Sequence, residues 1–167
     1  QVRYTVPHTA IKKGGCTHCH RQPRRNRHLF DKPLKRGLCQ GCHKKYAPSH
    51  PHRKNWRFVH GPVAVDDCLS CHAPHGSAHQ KLLRKPLEQL CISCHNAIVG
   101  FEKTSKNPHK PVKEGKCANC HNPHGSSHRR LLRKENSAFC LEKCHTKKKT
   151  EFANAKVRHP GIMQGRG

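Results

Sequence analysis

Residues 60–95 read HGPVAVDDCLSCHAPHGSAHQKLLRKPLEQLCISCH. Within them a histidine stands eight residues ahead of a Cys-x-x-Cys-His run, and a connector leads to a second such run. The same frame extends over the chain in both directions. His8, Cys16 and Cys39 recur 52 residues later as His60, Cys68 and Cys91, and after a further 49 as His109, Cys117 and Cys140. Self-similarity at a fixed period marks a repeat architecture, in which each unit is one structural element. The connectors of the second and third units are close variants, HAPHGSAHQKLLRKP and HNPHGSSHRRLLRKE, whereas the first reads HRQPRRNRHLFDKP and lacks the Pro-His-Gly element.

Composition argues against an ordinary core. Of 167 residues, 32% are hydrophobic and 5% aromatic, and the formal net charge is +25. A chain this polar buries too little apolar surface to offset its ordering entropy, so the apolar mass must come from elsewhere. The 12 cysteines and 18 histidines indicate the source. Cysteines at short spacing serve as disulfides, zinc ligands or haem attachments. Here Cys16-Cys19, Cys39-Cys42, Cys68-Cys71, Cys91-Cys94, Cys117-Cys120 and the wider Cys140-Cys144 are each followed at once by histidine: His20, His43, His72, His95, His121 and His145. Neither a disulfide nor a zinc pair needs histidine there, whereas covalent c-type haem does. Six haem c groups with their iron are therefore expected, with no cysteine left over.

This doubled pattern resembles the doubled-CxxCH multihaem c-type cytochromes and is similar to subunits of extracellular cytochrome filaments, from Val6 to about His159. The fold class implied is a multihaem cytochrome: irregular coil with short α-helices wrapped around a haem stack, almost no β-strand, and three paired-haem repeats. The expected divisions are residues 1–52, 53–103 and 104–149, followed by a tail, 150–167. Proline and glycine punctuate the connectors, so only short helices are expected, the last near Thr150–Val157.

The histidine of each motif is the proximal ligand, and the sixth ligand decides between electron transfer and catalysis. Met163 is the only methionine, so bis-histidine ligation at low potential is expected. Repeat equivalence nominates His8, His60 and His109 as distal ligands. The family pattern nominates the Pro-His-Gly residues His75 and His124, with His79 and His128 as the alternative. Arg24 occupies that place in the first unit, so His28 is its expected substitute. His18 is read as a solvent or propionate contact, and His50 and His52 as linker residues. His159 lies 50 residues after His109, where a fourth unit would place its leading histidine. With it, seven candidates serve six irons. Two readings of the surplus stay open: a terminal histidine, His8 or His159, ligates a haem of a neighbouring copy, or the tail is simply frayed. Heterologous contacts that do not close make filaments.

The function expected is extracytoplasmic electron transfer, with no catalytic residue, either as a subunit of a conductive filament or as a monomeric periplasmic shuttle. A multihaem reductase is the competing class, and a zinc-stapled basic protein the weakest one. Lys and Arg number 34 against 9 acidic residues. Propionates lower the net charge to roughly +19 oxidised or +13 reduced, which still steers acidic redox partners. Scattered aromatics offer no base-stacking platform, so specific nucleic-acid binding is not expected. Apolar runs are too short to span a bilayer. Haem attachment outside the cytoplasm implies export with a signal peptide removed, to the extracellular space or cell surface, otherwise the periplasm.

Overall fold

The computed structural model describes residues 4–12, 16–20 and 37–157. Local chemistry sets its short elements. The leading histidines His60 and His109 take extended backbone and cap one-turn helices, Gly61–Ala64 and Lys110–Lys113. Each helix has proline in its first turn, where a missing N–H costs nothing. The helices Leu87–Ile92 and Asn136–Lys143 deliver Cys91 and Cys140. A further helix starts directly after His95 and after His145, at Asn96–Thr104 and Thr146–Asn154. The last of these was expected at Thr150–Val157. It begins earlier because His145 leaves helical geometry (φ −109, ψ 42) and itself serves as the cap.

Strands are few, as the sequence implies, but they decide how units join. β1 (Val6–Pro7), β2 (Phe58–Val59), β3 (Gly76–Ser77) and β4 (Gly125–Ser126) form two antiparallel pairs, β1 with β3 and β2 with β4. Each pair ties the segment before a leading histidine to the Pro-His-Gly-Ser element of the following unit. The glycines permit this approach. A Cβ on Gly76 would lie 2.4 Å from the Tyr4 ring, and one on Gly125 2.3 Å from that of Trp56.

Among the described residues no hydrophobic side chain is buried; the buried polar ones are Ser77 and Ser126. Both serines are satisfied. Ser77 Oγ donates to the Leu83 carbonyl and accepts from the His79 N–H at 2.9 Å; Ser126 does the same with Leu132 and His128, the latter at 3.0 Å. The chain exposes 13809 Å², although a folded protein of 19.0 kDa exposes about 8,400 Å² by the usual scaling. The polypeptide alone therefore has the surface of a shell.

Candidate haem sites

Each motif folds into the same turn. The histidine N–H donates to the carbonyl of the first cysteine at 2.9 Å for His20, His43 and His145, and at 3.0 Å for His72, His95 and His121. The sixth motif closes this ring over one extra residue. Its His145-to-Cys140 bond spans five residues rather than four, the wider turn used in π-bulges. The one extra residue in Leu141-Glu142-Lys143 is absorbed there, so that His145 still bonds the carbonyl of its first cysteine.

The imidazoles meet in twos. Ring centres are 6.1 Å apart for His8 and His43, 5.9 Å for His20 and His75, 6.0 Å for His60 and His95, 6.1 Å for His72 and His124, and 6.3 Å for His109 and His145. Four of the pairs are stacked, with interplanar angles of 15° to 22°; His20 and His75 are tilted at 45°. A first-row metal sits about 2 Å from a ligating imidazole nitrogen and the ring centre about 1 Å further back, so two rings on opposite faces of one metal have centres about 6 Å apart. Each pair thus has the separation that a bis-histidine iron requires. With the thiol pairs beside them and the excess surface around them, these residues fit haem c.

Backbone carbonyls orient the rings. His72 Nδ1 lies 2.8 Å from the Lys81 carbonyl oxygen, His121 Nδ1 2.7 Å from that of Arg130, and His60 Nδ1 2.9 Å from that of Pro123. A bond of this kind fixes the proton on Nδ1 and presents Nε2 as the ligating atom. The turn carrying the first two carbonyls is strained alike in both units. Lys81 and Leu82 have φ of 58° and 56°, Arg130 and Leu131 of 55° and 57°, the left-handed region that non-glycine residues seldom enter. Burial, reinforced by the neighbouring His72, pushes the His124 pKa down to about 4, which keeps that ring neutral and able to ligate. Burial also pushes Cys68 and Cys91 up to about 11, each with a thiol of the adjoining unit beside it, Cys39 and Cys117 respectively.

The sites follow one another in chain order. His8 donates its N–H to the His75 carbonyl at 3.1 Å, joining the first and second. Cys39 lies against Cys68, joining the second and third. His60 donates to the His124 carbonyl at 3.2 Å, joining the third and fourth. Cys91 meets Cys117, joining the fourth and fifth, and Cys120 lies within electrostatic reach of Cys144 and Cys140 of the sixth.

Of the expected distal histidines, His8, His60, His75, His109 and His124 each face a proximal ring. His79 and His128 instead hold their backbone N–H groups on Ser77 and Ser126. His28 and His159 lie outside the described residues, as does the side chain of His18. His50 accepts from the His52 N–H at 3.1 Å, and His52 packs edge-on against Trp56. No described ring faces His121. Sequence reasoning missed the cross-unit assignment: His75 faces the first unit's His20, and His124 the second unit's His72. It also missed the Lys81 and Arg130 carbonyls, for which the shared LLRK stretch was the available signal.

A family model of the doubled CXXCH motif matches the chain three times, over residues 8–48, 60–100 and 109–150. No curated protein matches the chain.

Proposed function

Because the chain belongs to the doubled CXXCH motif family of multihaem c-type cytochromes, we propose that it holds six haems and moves electrons outside the cytoplasm as a subunit of a head-to-tail filament. Haem c supplies a one-electron iron couple when bound, and its axial ligands decide whether a substrate can also bind. The chain's own residues do the rest. Twelve cysteines would hold the groups covalently, and the motif histidines would ligate each iron from one side. His8, His75, His60, His124 and His109 would ligate from the other at five sites, which would keep substrate and water off those irons. No step here makes or breaks a substrate bond. The surrounding lysines and arginines attract acidic redox partners, with strong salt dependence.

The observation carrying this reading is the series of adjoining sites in chain order from His20 to the fifth motif, with Cys120 of the fifth within electrostatic reach of the Cys140 and Cys144 thiols of the sixth. A catalytic iron needs an open distal face, which five of the six sites lack; a conducting series needs neighbours at every step. Reductive titration of the purified holoprotein tests it. Uptake of six electrons per chain with full reoxidation by an added acceptor is expected, together with filaments on imaging. Turnover of nitrite would overturn the reading in favour of a reductase, and particles that stay monomeric at all concentrations would favour the shuttle.

A further inference from the structure

The third site is assembled from all three units. His72 comes from the second, His124 from the third, and a ring of the first, Tyr46, packs on His124. The Tyr46 and His124 ring centres are 4.7 Å apart at 52°, inside the range of an aromatic contact. Tyr46 is held there from both ends. A single 3₁₀ turn, Lys44–Tyr46, starts at His43, and the Tyr46 N–H bonds the His43 carbonyl at 3.0 Å. Arg53 Nη1 donates to the Tyr46 carbonyl at 3.2 Å, and its guanidinium lies 5.8 Å from the centre of the Trp56 ring. Trp56 stands 6.3 Å from the Tyr46 ring while it covers Gly125, the residue after His124. The turn itself does not call for an aromatic residue. Ile98 holds the same place after His95, with its N–H on the His95 carbonyl at 3.2 Å, and is 51% exposed. What accompanies the ring is a difference between the two Pro-His-Gly sites. His72 and His124 are nearly parallel, at 15°, whereas His20 and His75 are inclined at 45°. Among the described residues no aromatic ring packs on His75 apart from His20. Most of the backbone anchoring is shared, since His75 and His124 each accept from a leading histidine, at 3.1 and 3.2 Å. One anchor differs: the His124 N–H donates to Asn122 Oδ1 at 3.2 Å, and the counterpart of Asn122 is Ala73.

We propose that Tyr46 is a positioning residue for the third haem site: its ring face fixes the plane of the His124 imidazole against that of His72. This rests on the bis-histidine reading above. The angle between two axial imidazole planes orients the iron orbital that holds the unpaired electron, so it sets the ferric spectrum and shifts the potential. Outer residues that orient a ligand are one of the levers a protein has on a haem. A near-parallel pair gives an ordinary rhombic low-spin resonance, and a rotated pair moves the largest g value upward. The first unit thereby tunes an iron that its own motifs do not hold.

Electron paramagnetic resonance of the oxidised holoprotein tests this, with a reductive titration beside it. The third site's signal is the one that His124→Ala removes from the low-spin set. Tyr46→Leu, which fills the space without a planar face, should move that signal to a larger g value and shift one midpoint potential. Tyr46→Phe should keep both as in the parent, and so should Asn122→Ala. Three results would overturn the proposal: Tyr46→Leu with the parent's spectrum, Tyr46→Phe behaving as Tyr46→Leu does, or Asn122→Ala moving the signal by as much. Failure of the underlying reading is separate, because His124→Ala would then remove no low-spin signal, and the proposal would fall with it.

Discussion

His72 and His121 differ in what faces them, not in how they are held. Each closes its motif turn at 3.0 Å and leans its Nδ1 on a carbonyl from a left-handed residue, Lys81 or Arg130. Among the described residues only His72 has a second ring, at 6.1 Å, and that ring belongs to the next unit. A unit therefore builds the proximal half of its first site by itself and receives the distal half from its successor. The second motif of each unit is different. His43, His95 and His145 are faced by His8, His60 and His109 of the same unit, so the successor is needed once per unit.

The largest effect should come from removing what distinguishes the two sites. His124→Ala makes His72 resemble His121, and the dilute reduced protein should then bind one more carbon monoxide per chain than the parent. An unchanged stoichiometry would break the comparison. Next in size is Gly125→Val, which drives a side chain into Trp56 and should cost about 3 kcal/mol as overpacking, seen as a lower Tm. Gly100→Val, with open space around its Cβ, should cost far less. Ser126→Ala leaves the Leu132 carbonyl and the His128 N–H without their partner and should cost about 1–2 kcal/mol; Ser77→Ala should match it. The smallest effect is expected from Lys81→Gly and Arg130→Gly, which relieve left-handed strain while adding backbone freedom, a net change of about 1 kcal/mol or less. The two values should agree, because this half of each site is built within its own unit.

The proximal set was legible because its chemistry is local: two thiols and a histidine within one turn leave a fixed spacing. The leading histidines were legible through repeat equivalence. The Pro-His-Gly residues could be named as ligands but not assigned to irons, since His75 and His124 act across a unit boundary and no spacing within a unit records that. The strands escaped notice for a similar reason. Pairs such as Val6 with Ser77 join two residues at a time over a long separation, too briefly for any alternation to appear. The final helix was misplaced because capping by His145 depends on the motif turn, whose geometry is not a propensity.

Whether the widened sixth motif works like the other five tests the six-site series most directly, and the intact mass of the purified chain after alkylation decides it. Six haem increments and no alkylated cysteine are expected. Five increments, with Cys140 and Cys144 both alkylated, would contradict the series at its sixth site.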